Sequence, residues 1–208
     1  MSNNIVHSTN TIDGEINNNK AIMSYDDKLN SYLNEIVTPA GEGGYANIAV
    51  DRGGETKYGI STKWRDSLAE GHPLRNIDIP SLTPQDAQNI YRSSEFLGPL
   101  ETNYGKNPVT LKMLDISINA GARNGTGIMQ RALQSLGYNV TYDKGMGDET
   151  RDAYRAAMKE RGEDAVLNAL SNSQANFYRE IVDNDNTQNT FLTGWLDRAK
   201  RYGSNHSY

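Results

Sequence analysis

The sequence predicts a mostly helical α+β protein with one small β-hairpin sheet and a helical C-terminal part. Three observations carry this. Successive stretches from Tyr25 onward repeat apolar residues at helical spacing, and several open on a recognisable cap. One stretch only, Tyr45 to Ser61, alternates apolar and polar residues around a Gly-Gly turn, as a β-hairpin does. Finally, 208 residues allow one large domain or two small ones with a real core, and no run approaches the ~20 apolar residues of a membrane span.

Residues 1–23 are rich in Asn, Ser and Thr. They hold too little apolar surface to offset the entropy of ordering, which predicts a flexible polar tail with His7 solvated in it. Ser24-Tyr-Asp-Asp27 forms a capping box with Asp in the place of Glu, so a helix starts there. Its run, Tyr25 to Val37, aligns Tyr25, Leu29, Tyr32, Leu33 and Ile36 on one face. Pro39 kinks this helix or starts a separate turn before Glu42.

After the hairpin, Ser61-Thr62-Lys63-Trp64 opens a short helix, with Trp64 read as core in preference to a sugar platform. His72-Pro73 to Pro80 reads as loop. Thr83-Pro84-Gln85-Asp86 is a strong helix start, with a hydroxyl cap and Pro at the first position. Ala87, Ile90 and Tyr91 form its stripe, and Gly98-Pro99 is read as its end. Gly105-Lys-Asn-Pro108 is the best candidate boundary.

Val109 to Ala120 then reads as a buried helix with Asp115 and Asn119 on one flank. Helices follow over Gly127 to Leu136, from Asp148 to near Gly162, over Glu163 to Val182 and over Thr187 to Tyr202. The last two read as ordinary core helices, carrying Phe177, Tyr178, Phe191, Leu192 and Trp195 among their apolar residues. Arg198, Lys200 and Arg201 suit the negative end of the final helix dipole.

Composition narrows the function classes. Without cysteine there are no disulfides, thiol nucleophiles or cysteine-zinc sites, and with only His7, His72 and His206 a histidine zinc hydrolase is not expected. The net charge of −5, without a basic block, argues against nucleic acid as the main partner. Asp183-Asn-Asp185-Asn-Thr187 hints at a calcium loop. Gln188 and Gly194, however, stand where its sharp-turn Gly and bidentate Glu belong, so no metal is expected. Gly125-Thr-Gly127 lacks the preceding strand and third glycine of a nucleotide site. The absence of a charged-then-apolar leader predicts synthesis in the cytoplasm without membrane insertion.

The chemistry-bearing stretch is Gly41-Glu42-Gly43-Gly44-Tyr45, followed by Asp51-Arg52-Gly53-Gly54-Glu55-Thr56-Lys57-Tyr58-Gly59-Ile60. Glu42 falls at a helix end and Asp51 at a hairpin tip, a workable layout for cleaving a glycosidic bond. One carboxyl must stay protonated for the leaving oxygen, and the other must stay ionised. Glu42, shielded by glycines and Tyr45, suits the general acid. Asp51, wet and beside Arg52, suits the general base or charge stabiliser. The hydroxyl of Thr56 can place the attacking water, since it both donates and accepts.

This stretch resembles the signature of glycoside hydrolase family 108, the N-acetylmuramidases of phage endolysins and bacterial secretion activators. The likeness lies in Glu42-Gly-Gly-Tyr45, Asp51 and Gly53-Gly-x-Thr56-x-x-Gly59-Ile60. It implies a lysozyme-like fold, Glu42 as the acid, no cofactor, and hydrolysis of the β-1,4 bond between N-acetylmuramic acid and N-acetylglucosamine. Peptidoglycan glycan strands would be the partner, and Tyr45, Tyr58 and Asn119 would bind them. Asn119-x-Gly121 is also similar to a motif of tailed-phage lysozymes. There the Asp-to-Thr gap is one residue longer than the four residues between Asp51 and Thr56 here.

Leu133-Gln134 through Gly145-x-Gly147-x-x-Thr150 resembles a repeat of peptidoglycan-binding domains. The resulting layout is a polar tail over 1–23, a lysozyme-like catalytic lobe over 24–105, and a helical peptidoglycan-binding-like part over 106–208 packed on it. The context implied is a monomeric endolysin that acts on the wall in the periplasm after release by a separate holin-like protein. The Asp-Thr pairing favours inversion, with carboxyls roughly 6.5–9.5 Å apart. Two rival readings remain: a lytic transglycosylase, and a non-enzymatic wall-binding or secretion-assisting module.

Overall fold

The computed structural model describes residues 23–38, 44–46 and 54–203. The polar tail, Gly41 to Gly43 and the segment 47–53 lie outside them, and with them Glu42 and Asp51.

Helix α1, Tyr25–Ile36, opens on the expected capping box: Asp27 N–H donates to Ser24 Oγ, and Ser24 N–H donates back to the Asp27 carboxylate. It buries Leu29, Tyr32, Leu33 and Ile36. A three-stranded antiparallel sheet follows in sequence order: β1 (Tyr45–Ala46), β2 (Thr56–Lys57) and β3 (Ile60–Ser61). The register pairs Tyr45 with Lys57, Ala46 with Thr56, Thr56 with Ser61 and Lys57 with Ile60. The sheet thus has a second hairpin that the pattern did not reveal. Its two turn residues, Tyr58 (φ 53°) and Gly59 (φ 77°), both have positive φ, as a type I′ turn requires. Tyr58 is strained there, and the Tyr91 hydroxyl holds it by donating to its carbonyl at 2.6 Å.

Helix α2, Thr62–Ser67, starts on Ser61, whose hydroxyl accepts from Trp64 N–H. Trp64 is partly buried against the core and packs on Phe96 at 4.7 Å. The expected loop after His72 instead forms two 3-10 turns, Pro73–Asn76 and Ile79–Ser81. In each, proline falls in the first turn, where its missing N–H costs nothing. Helix α3, Pro84–Tyr91, has the predicted Thr83–Asp86 capping box.

Gly98-Pro99 does not close α3; it lies in the first turn of a separate helix, α4, Leu97–Tyr104. The reason is the same one: first-turn N–H groups have no partner inside the helix. Gly105 (φ 80°) ends α4, and Asn107 caps α5 by accepting from Thr110 N–H.

Helix α5, Pro108–Ala120, is the central strut, buried at every position from Val109 to Ile116. Leu111 and Leu114 enter a first core with α1, α3 and Ile60. Val109, Met113 and Ile116 enter a second core with the helices that follow. Those are α6 (Ala122–Ser135), α7 (Asp148–Glu160), α8 (Glu163–Asn184) and α9 (Asn189–Lys200). Helix α6 starts five residues before the expected Gly127. Its glycines serve close packing: a Cβ on Gly125 would sit 3.2 Å from Ser117 Oγ, and one on Gly127 would sit 2.9 Å from Lys144 Cγ.

The chain's end returns to the first core. Tyr202 is buried edge-on against Tyr32 at 4.8 Å, and its hydroxyl donates to Glu35 at 2.7 Å. Arg198 is not merely a dipole partner; it forms a 2.9 Å ion pair with Asp115, whose side chain is 3% exposed. Lys112, fully buried, donates to the carbonyls of Ala199 and Arg201 at 2.8 and 2.7 Å.

Candidate active site

Helix α1 ends just before Thr38, whose hydroxyl donates to Glu35 O at 2.7 Å; Glu42 comes four residues later in the sequence. Glu42 and Asp51 lie outside the described residues; Tyr45, Glu55, Thr56 and Tyr58 of the same sequence stretch lie within them.

Tyr45 sits on the edge strand β1, 50% exposed, with its hydroxyl donating to Glu55 Oε1 at 2.6 Å. Glu55 is a carboxylate of the signature stretch that the sequence reading passed over. Thr56 is half-buried on β2, and its hydroxyl donates to Gly54 O at 3.3 Å, which leaves the oxygen's acceptor capacity available. Directly paired residues share a face of a sheet and sequence neighbours alternate. Thr56 therefore lies on the face of Ala46 and Ser61, and Tyr45 on the opposite face with Lys57.

Tyr58 lies at the other end of β2 from the 47–53 segment, half-buried against the first core with Lys57 Nζ 5.5 Å from its ring centroid. Asn119 is exposed in the last turn of α5. Its Oδ1 accepts from the Tyr178 hydroxyl at 2.6 Å, and that hydroxyl accepts from Gln174 at 2.8 Å. The structure thus gathers Tyr45, Thr56 and Tyr58 around one small sheet and sets Asn119 on a different element.

A groove of about 400 Å³ opens between the 3-10 turns and α3, floored by Leu74, Ile77, Leu82 and Ile90 with Asp78 and Asp86 beside them. Lys57 Nζ donates to Pro80 O at 2.6 Å, tying the strand that carries Thr56 to that wall. Two hydrogen bonds from Thr83 hold the Asp86 carboxyl below its usual range.

Other polar groups missed from the sequence organise the structure around the site. Burial pushes the Lys112 ammonium down to about 8, Asp115 opposing and Arg198 adding. Burial, then hydrogen bonding to Glu35, pushes the Tyr202 hydroxyl well up. In the C-terminal part, buried Gln130 gathers the loop before α7. Its amide donates to Asp143 Oδ1 and Gly145 O, and its carbonyl accepts from the N–H groups of Asp143 and Lys144. A charged residue inside an apolar helix, such as Lys112 or Asp115, is itself a sign of a buried partner. The identity of that partner has no local signal.

The architecture is that of a lysozyme-like protein, mostly helical with a small antiparallel sheet beside an early helix. Residues 36–121 match the family described as glycosyl hydrolase 108, and residues 124–200 match one described as a predicted peptidoglycan domain. The first of these matches supports a glycoside hydrolase acting on peptidoglycan, and the second supports peptidoglycan as what the protein engages. Among solved structures it is similar to SagA of Brucella abortus, at 21% identity and a TM-score of 0.58, over 86% of this chain and 90% of that one. That likeness concerns the fold. A comparison with curated proteins gives no match. No helix among the described residues is long and apolar enough to cross a membrane.

Proposed function

We propose that the protein is an N-acetylmuramidase that hydrolyses the β-1,4 bond between N-acetylmuramic acid and N-acetylglucosamine. Glu42 is the general acid, Asp51 the base or charge stabiliser, and Thr56 positions water. The observation that carries this reading is the sheet itself. It lies within the glycosyl hydrolase 108 match, comes after α1 in the chain, and pairs Thr56 with Ala46, two described residues of the signature stretch that lie either side of Asp51 in the sequence. Tyr45 reaches the sugar around the open edge of β1, Tyr58 supports the sheet's far end, and Asn119 contributes its amide from α5.

The catalytic lobe over 24–105 cuts, and the part over 106–208 holds the wall polymer. The setting is host-cell lysis by a monomeric endolysin, made in the cytoplasm and let through the membrane by a holin-like protein.

Glu42→Gln keeps the shape and removes the acidic proton. The expected result is loss of lysis of purified walls, read as turbidity, with unchanged circular dichroism. Lysis near the normal rate would refute Glu42 as the acid. Mass analysis of released muropeptides should show reducing muramic ends. Anhydro ends would instead mark a lytic transglycosylase, and wall binding without turbidity loss a binding module.

A further inference from the structure

Helix α9 is not the ordinary core helix its pattern suggested. Of its apolar residues only Ala199 is fully buried, and Phe191 is 53% exposed. Phe191 stacks on Trp195 with ring centroids 5.7 Å apart and planes at 30°. Trp195 in turn stacks on Tyr178 of α8 at 5.3 Å and 24°. Tyr178 is buried, so the stack is anchored at its inner end and open at its outer one. Its hydroxyl also donates to the carboxamide oxygen of Asn119, which ties the stack to the end of α5.

We infer that the Phe191–Trp195 face is a glycan platform, which takes the apolar face of an N-acetylglucosamine-type unit of a glycan strand. The inference rests on the peptidoglycan reading above and adds a second place of contact to it. Three features favour a sugar as the occupant. The rings form a rigid tilted stack with a flat outer member, the shape that the C–H face of a pyranose covers. The exposed stretch around them, Asn189-Thr190-Phe191 with Thr193-Gly194, carries no charge and fits a neutral polar ligand. Gly194 keeps that surface low, since a Cβ there would meet nothing within 4 Å. These residues also fall inside the stretch that matches a predicted peptidoglycan domain. A second copy of the chain is a poor occupant, because one phenylalanine and part of one tryptophan fall far short of the roughly 1,200 Å² that a stable interface buries.

The chain has two tryptophans, so Trp64→Phe leaves Trp195 as the sole reporter of the full-length protein. Titration with N-acetylglucosamine tetramer should shift its emission to the blue and saturate. Phe191→Ala in that background should weaken the tetramer about fivefold, the loss of one aromatic contact of ~1 kcal/mol, without changing the thermal midpoint. A silent Trp195 spectrum, or unchanged affinity in Phe191→Ala, overturns the platform. So does sedimentation showing a dimer that Phe191→Ala dissolves. Wall turbidity separates the two readings. Lysis with a silent Trp195 sinks the platform alone, whereas a Trp195 response without lysis sinks the muramidase alone.

Discussion

Removing the carboxylate of Asp115 should destabilise the protein more than almost any other single change. Asp115 stands in the middle of α5, and its side chain is 3% exposed against 13% for Arg198, its partner 2.9 Å away. Asp115→Ala would take from a largely buried guanidinium the carboxylate 2.9 Å away, beside the buried ammonium of Lys112 that Asp115 also supports. Breaking one side of a buried pair costs about 3–5 kcal/mol, against a total stability of roughly 5–15 kcal/mol. For a chain of this size each kcal/mol moves the melting temperature by about 2–4 °C, so Asp115→Ala should melt about 10 °C lower.

The assay is thermal unfolding followed by circular dichroism at pH 7. The paired control is Asp115→Leu with Arg198→Met, which removes both charges and should recover most of the loss, because a buried pair is often replaceable by apolar groups. A shift under about 2 °C for Asp115→Ala would refute the claim that this pair holds the last helix to the first core. A double variant no better than the single one would refute the unpaired-charge mechanism.

Three further outcomes are expected. Burial lowers Lys112 to about 8 in the folded state, from about 10.4 unfolded, so between those values the unfolded chain binds more protons and stability rises with pH. The contribution of Lys112 is greatest above about pH 10.4 and is lost as pH falls through 8. The stability difference between wild type and Lys112→Met should therefore grow by up to ~3 kcal/mol from pH 7 to pH 10.5 in denaturant melts; a flat difference would contradict it. Gly59→Ala forces a Cβ into φ 77° and should cost about 1–2 kcal/mol by urea unfolding. Tyr178→Phe deletes the hydroxyl that orients Asn119, and should raise KM on wall glycan severalfold with little change in kcat; an unchanged KM would mean that Asn119 needs no such support.

The parts of the fold that were legible from sequence are those written locally. Ser24 and Thr83 announce their helices through side chains that bond three residues on; Asn107, read from sequence only as part of a boundary, does the same for α5. Tyr58-Gly59 went unread because a tyrosine at positive φ carries no sign of it; the hydroxyl of Tyr91, far along the chain, keeps it there. Pro99 was ambiguous, since proline both stops a helix and suits the first turn of the next. The exposure of Phe191 was hidden for a related reason. An amphipathic stripe says that a face is apolar, not how much of it the neighbours cover.

For the site, Glu42 and Asp51 are singled out by a helix end, a hairpin tip and a family-like motif, and both fall outside the described residues. Of the proposed supporting residues, Thr56 and Tyr45 follow the pleat onto opposite faces. That is a consequence of register, which spacing along the sequence could not supply.

The return of Tyr202 to the ring of Tyr32 sets an order on how the molecule is made. The ribosome finishes the segment bearing the signature carboxyls long before it reaches the residue that plugs the hollow behind α1. The first core of a nascent chain therefore stays unsealed until Tyr202 has emerged, so α1 and α3 gain their full packing only after α9 has been made. Release of stalled chains ending before Arg198 should yield protein that proteases degrade quickly, whereas chains extending past Gly203 should resist them.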